Sequence, residues 1–142
     1  MKKAFVNGEE IPREAVQHEF DRLVRLYSEN GTPPDDLRKN VEKLLGDAQE
    51  QAIGAKLLII RAKELGITPD ELVGKTCAGT PDPEEAEMEE FYRANKEAFG
   101  GAAFVQVQTK IRDFLRHAAR GKVLAAFIAE LREKASIEYR DS

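Results

Sequence analysis

Apolar residues recur at every third or fourth position along most of this chain, which is the spacing of an amphipathic α-helix. The pattern predicts five helices, the second and fifth of them long, over about Pro12–Glu29, Asp35–Leu65, Pro69–Gly74, Asp82–Phe99 and Phe104–Ala135. Prolines at helix starts and glycines at helix ends support these boundaries. The sequence therefore predicts a mostly α-helical fold.

The second predicted helix is apolar around most of its circumference from Ala52 to Ala62, which indicates that other elements cover it on several sides. We expect this stretch to form the centre of the core. Gly46 and Gly54 interrupt the same helix, each at a cost of about 1 kcal/mol relative to alanine. We expect these glycines to mark a close helix crossing or a kink.

The fifth predicted helix carries a long apolar stripe that we expect to be buried. Its members are Val107, Ile111, Phe114, Leu115, Ala118, Val123, Leu124, Phe127, Ile128 and Leu131.

The two ends of the chain have the alternating pattern of short β-strands. Ala4–Val6 leads into the turn-forming pair Asn7-Gly8, and Glu9–Ile11 returns as a second short strand. Ser136–Arg140 alternates in the same way. Because lone strands need partners, the sequence predicts that the terminal strands pair with each other.

Length and charge limit the classes of function. The chain has 142 residues, which suits a single domain over 1–142, and a net charge of -4. An acidic balance argues against nucleic acid as a partner, because phosphate binding needs a concentrated basic face. No segment is apolar and long enough to predict a membrane span.

The residues that usually perform catalysis are sparse and scattered. His18, His117 and Cys77 are distributed over different predicted elements without metal-ligand spacing, so we expect no metal site, no cofactor and no catalytic residue. Five glutamates follow the start of the fourth helix, where they complement the helix dipole and are typical of a solvated face.

Four apolar residues near chain breaks are candidates for a weak client-binding surface. They are Leu26, Tyr27, Phe99 and Phe104. Exposed apolar patches mark sites for partners, although periodic aromatic residues also pack inside a core, and both interpretations stay open at this point.

Three segments occur in an order that resembles a known family. They are VNGEEI at 6–11, AKELGI at 62–67, and EFYRANKEAF at 90–99 followed by a last helix and ASIEY at 135–139. Together they resemble the N-terminal and C-terminal chaperone segments of SurA-like proteins, which are bacterial folding factors associated with parvulin domains. The resemblance covers nearly the whole chain.

The resemblance implies that segments 1–99 and 104–142 fold together as one chaperone-core-like domain. In that family a parvulin-type prolyl isomerase domain normally lies between these segments, whereas only residues 100–103 separate them here. We therefore expect no isomerase activity, and we expect the family's other activity, which is ATP-independent holding of unfolded or partly folded polypeptide clients.

Two alternatives remain at this stage. The chain could be a structural or dimerisation domain that exchanges segments at Gly100-Gly101, or an accessory module of a prolyl isomerase system. Its location is expected to be cytoplasmic if Met1 is the native start, and periplasmic or otherwise extracytoplasmic if the chain is a processed or trimmed form.

Overall fold

The computed structural model describes residues 2–141 and is mostly α-helical, which confirms the predicted fold class. The strands are β1 (Lys3–Val6), β2 (Glu9–Glu10) and β3 (Ile137–Arg140). The α-helices are α1 (Arg13–Glu29), α2 (Pro34–Lys39), α3 (Val41–Leu65), α4 (Pro69–Cys77), α5 (Glu85–Ala94) and α6 (Phe104–Lys134), with a 3₁₀ turn over Lys96–Phe99.

The two ends of the chain pair in one antiparallel sheet, as predicted. The strand order is β2-β1-β3, with Val6 opposite both Glu9 and Ile137. Asn7 and Gly8 form the turn between β1 and β2 with φ of 51° and 85°, the left-handed conformation that a two-residue hairpin needs. Asn7 also joins the end of α6 to the hairpin, because its side-chain oxygen accepts from the Ser136 N–H at 2.9 Å.

Two helices end next to an asparagine, earlier than the apolar spacing predicts. The expected continuous helix over Asp35–Leu65 is wrong: it breaks at Asn40, whose side-chain amide donates to the Asp36 carbonyl at 2.7 Å. That carbonyl would otherwise accept from the backbone N–H of Asn40, which donates to Leu37 instead. A side chain that competes in this way for the backbone favours a helix end.

The helix α5 ends at Ala94, and Asn95 differs from Asn40 because its backbone N–H still donates to the Phe91 carbonyl, at 3.1 Å. The Asn95 side-chain amide donates to the same carbonyl at 2.9 Å, and the chain continues as the 3₁₀ turn Lys96–Phe99. The fourth predicted helix therefore ends five residues before its expected end at Phe99. In the opposite direction, α4 continues past the expected Gly74 to Cys77, and Thr76 donates to the Leu72 carbonyl within it at 2.8 Å.

The described chain divides into two compact units. Unit 1 consists of Met1–Pro69 and Ile128–Ser142, and unit 2 consists of Asp70–Phe127. The expectation that segments 1–99 and 104–142 form one chaperone-type domain stays a prediction.

The core of unit 1 is built on α3, which confirms the predicted centre. Ala52, Ile53 and Leu57 of this helix are buried and pack with residues of β1 and α1. The broad apolar face of α3 is not covered all round, because Ile59 is 49% exposed.

The apolar stripe of α6 is much less buried than expected. Val107 and Ile111 are its buried members among the described residues, whereas Phe114 and Ala118 are exposed. The expectation that Phe114 and Ala118 are buried is therefore wrong. Length limits the cover, because α5 has ten residues and α6 has 31, so α5 can cover only the first turns of α6. Phe114 lies within reach of α5, beside Phe91, and is only partly covered there.

Gly54 confirms the expected close helix crossing, and Gly46 does not. A methyl group built on Gly54 would lie 3.4 Å from Cγ2 of Ile128, whereas nothing lies within 4 Å of the same position on Gly46. The bare backbone of Gly54 therefore lets the end of α6 approach α3 within unit 1.

We expect Gly54→Leu to destabilise the protein by about 1–3 kcal/mol, because the added side chain overpacks the contact with Ile128. Gly46→Leu is the matched control and should stabilise it by about 0.5–1 kcal/mol through helix propensity alone. The midpoint of urea unfolding, followed by circular dichroism, measures both. Equal shifts in the same direction would contradict the close approach.

Candidate functional site

Five aromatic side chains form a continuous cluster in unit 2, which we call the aromatic cluster. Its members are Phe91 and Tyr92 of α5, Phe99 of the 3₁₀ turn, and Phe104 and Phe114 of α6. The Tyr92 ring stacks on Phe99 with a centroid separation of 5.8 Å and meets Phe104 edge-on at 5.5 Å. Such offset and edge contacts are favourable beyond the area that they bury.

Two features hold the aromatic cluster in place. The cluster packs against the buried side chains of Met88, Val107 and Ile111, which form one core cluster of unit 2. The Tyr92 hydroxyl donates to the Ala102 carbonyl at 2.7 Å, so the loop before α6 is attached to α5. The rings are therefore fixed to a packed base.

The exposed end of the aromatic cluster is Phe114. This ring is 57% exposed and lies 5.2 Å, centroid to centroid, from the half-buried Phe91. Periodicity predicts that Phe114 is buried, so the sequence alone does not identify it as a surface residue. No signal in the sequence separates Phe114 from the buried Val107 and Ile111, because all three belong to one apolar stripe.

The four residues predicted for client binding divide between the units. Phe99 and Phe104 are half-buried in the aromatic cluster of unit 2. Leu26 and Tyr27 lie near the end of α1 in unit 1, with exposed fractions of 46% and 40%. Tyr27 also lines a cavity of about 220 Å³ together with Leu37, and most of the other lining residues are polar.

The charge around the aromatic cluster is segregated. The glutamates at the start of α5 are exposed and make no ion pair with any described residue; they are Glu84, Glu85, Glu87, Glu89 and Glu90. Arg116 of α6 pairs with Asp82 at 2.8 Å. The first turns of α5, before Phe91, therefore carry acidic charge, whereas Arg93 in its last turn is basic.

The histidines and the cysteine divide between the units, with His18 in unit 1 and His117 and Cys77 in unit 2. His18 and His117 are exposed, and Cys77 is buried, with its Sγ 3.8 Å from the Arg120 carbonyl. Across residues 2–141, no three His, Cys, Asp or Glu side chains are grouped so that they could hold a metal ion.

A polar cluster in unit 1 connects three elements. Tyr139 of β3 donates to Glu50 of α3 at 2.5 Å, and Arg132 of α6 binds the other oxygen of Glu50 at 2.6 Å. Arg132 also donates to the Tyr139 hydroxyl at 2.9 Å. All three polar groups are satisfied by one another, so we interpret this cluster as a structural connection.

The polar cluster shifts the pKa of two members. Burial raises the pKa of Tyr139, and its hydrogen bond to Glu50 raises it further, because ionisation would place a phenolate beside a carboxylate; Arg132 opposes this. Burial alone would lower the pKa of Arg132, but hydrogen bonds to Glu50 and Tyr139 raise it above its ordinary value.

The raised pKa of Tyr139 predicts a loss of stability in alkali. Because the folded-state pKa exceeds that of the unfolded chain, the contribution is complete below about pH 10 and is lost as the pH rises through the folded-state pKa. Tyr139→Phe should cost about 1 kcal/mol at neutral pH and should remove this alkaline loss.

Phenolate absorbance and urea unfolding at increasing pH measure both effects. The absorbance difference between the parent and Tyr139→Phe isolates this phenol, and its midpoint should lie above pH 10. A midpoint below that value would contradict the polar cluster.

Comparisons with protein-family models, with curated protein sequences and with solved structures find no match to this chain. Within residues 2–141, no helix is long and apolar enough to cross a membrane.

Proposed function

We propose that this chain is an ATP-independent molecular chaperone or client-binding module that holds unfolded or partly folded polypeptides through apolar surface. The observation that carries the proposal is the aromatic cluster of unit 2, in which Phe114 is more than half exposed beside Phe91. An exposed ring that extends a set of half-buried rings provides apolar surface of the kind that partners bind.

Binding would draw its free energy from apolar burial. Covering exposed aromatic surface contributes about 25 cal/mol per Å², from which the cost of ordering a flexible client is subtracted. Because Met88 and Ile111 already fix the base of the aromatic cluster, little ordering is needed on the side of the chaperone. We therefore expect weak and promiscuous binding of extended apolar segments.

The resemblance to SurA-like chaperone segments supports the same function. It assigns client holding to segments of this type and places isomerase catalysis in a separate domain. We propose that this chain acts without prolyl isomerase activity, and a proline-peptide isomerisation assay with the full chain should give the uncatalysed rate.

Dimerisation is the second candidate function, and one feature favours it. Gly100 and Gly101 have φ of 60° and 82° in the short connection before α6, a conformation that glycine adopts readily. A connection of this kind could act as the hinge for exchange of α6 between two chains. Light scattering distinguishes the candidates, because an obligate dimer without chaperone activity would favour this second role.

We expect Phe114→Ser to weaken binding of an unfolded client about tenfold, because it removes the most exposed ring of the aromatic cluster. The measurement is suppression of client aggregation as a function of the ratio of this protein to client. Loss of apolar dye binding should accompany the weaker suppression.

Val105→Ser is the matched control. Val105 is 76% exposed but lies about two and a half turns before Phe114, so it faces the opposite side of α6. The Val105→Ser variant should suppress client aggregation as well as the parent does. Equal activity of both variants, or no suppression by the parent at equimolar or higher ratios, would contradict the proposal.

A further inference from the structure

A second surface, in unit 1, has the composition of a small ligand site. A cavity of about 380 Å³ lies between the sheet, α1 and α3, and its apolar lining consists of the buried residues Ala4, Ile11 and Val16. Pockets that hold small molecules have volumes of about 300–1,000 Å³ and combine an apolar lining with a few polar groups.

The rim of this cavity is positively charged. Lys2, Lys3 and Arg13 line it with only one carboxylate, that of Glu10, whose oxygen lies 3.7 Å from the Lys3 ammonium. Lys2 and Arg13 make no ion pair with any described residue. Arg13 also begins α1, so the positive end of that helix dipole adds to the same potential.

A buried amide completes the cavity. Gln49 of α3 is 8% exposed, and it is the buried polar residue of the described core. Its Nε2 donates to the Lys2 carbonyl at 2.6 Å, which fixes the amide orientation, and its carbonyl oxygen has no partner among residues 2–141. This oxygen can accept a hydrogen bond from a ligand N–H or O–H.

We propose that this cavity binds the carboxylate of an apolar organic acid, with the C-terminal residue of an extended polypeptide as the ligand that fits every group. The carboxylate would bind Lys2 and Arg13, and the apolar side chain would lie on Ile11 and Val16. The backbone N–H of the same residue would donate to Gln49.

The site does not depend on the proposed chaperone function. The cavity belongs to unit 1, whereas the aromatic cluster belongs to unit 2. The variants of the cavity therefore test only the carboxylate site, and the variants of the aromatic cluster test only client binding.

The test uses the full chain and a short peptide that carries a fluorophore at its N-terminus and ends in leucine with a free carboxylate. Fluorescence anisotropy should report saturable binding that weakens with added salt. The same peptide with an amidated C-terminus should bind about tenfold more weakly, because it lacks the charge that Lys2 and Arg13 contact.

Competition with free hexanoate distinguishes the two sources of the carboxylate. Hexanoate has the carboxylate and the apolar chain but no N–H for Gln49. If it displaces the peptide at comparable concentration, the site takes small apolar acids; if it competes only weakly, the site prefers polypeptide C-termini. Either result supports a carboxylate site.

The double variant Lys2→Gln/Arg13→Gln should weaken peptide binding about tenfold without loss of helical circular dichroism, because both side chains are exposed. Arg25→Gln is the matched control, since Arg25 is also an exposed arginine of α1 but does not line the cavity. It should bind as the parent does.

Three results would overturn the proposal. They are equal binding of the free and amidated peptides, equal binding by the parent and the double variant, and no binding of either peptide or hexanoate to the parent.

Discussion

Pairing of β1 with β3 is the constraint on which unit 1 depends. It joins Val6 to Ile137, and the neighbouring bond between Asn7 and Ser136 spans 129 residues. A contact this distant has a large entropic cost of loop closure, so burial must offset it. Ala4 and Val6 supply that burial, because both side chains are almost completely buried in the core around α3.

Helix α3 packs on one face of the sheet and also makes polar contacts with both of the sheet's edge strands. On the β2 side, the Lys56 ammonium lies 2.7 Å from the Glu9 carboxylate, and on the β3 side Glu50 accepts from Tyr139. The hydrogen bond from Lys56 lowers the pKa of Glu9, so this contact is retained above the ordinary pKa of a glutamate and lost as the pH falls through the lowered value. The two edge contacts fix the sheet laterally on a helix whose apolar face already holds it.

Periodicity predicts the parts of this fold that depend on many residues at once. The apolar stripes of α1 and α3 and the alternation of the terminal strands each involve several positions. The structure confirms the helical prediction for α1 and α3 and the pairing of the terminal strands. The helix end at Asn40 depends on one side-chain hydrogen bond that takes the place of a backbone bond, and an apolar pattern does not predict such a bond. Nor does that pattern predict that Phe114, although it meets Phe91 of α5, is 57% exposed, so the candidate site was predicted only in part, through Phe99 and Phe104.

The exposed Phe114 ring beside Phe91 favours self-association, and the charge on α5 opposes it. Apolar patches of this kind aggregate unless charge or a partner prevents it. The run from Glu84 to Glu90 supplies five exposed carboxylates near Phe91 that make no ion pair among residues 2–141, and like charges repel a second copy of the same surface. The same charge does not repel an unfolded segment that is neutral or basic. If the proposed client binding is correct, the acidic charge on α5 opposes self-association of the aromatic cluster without opposing the binding of such a segment.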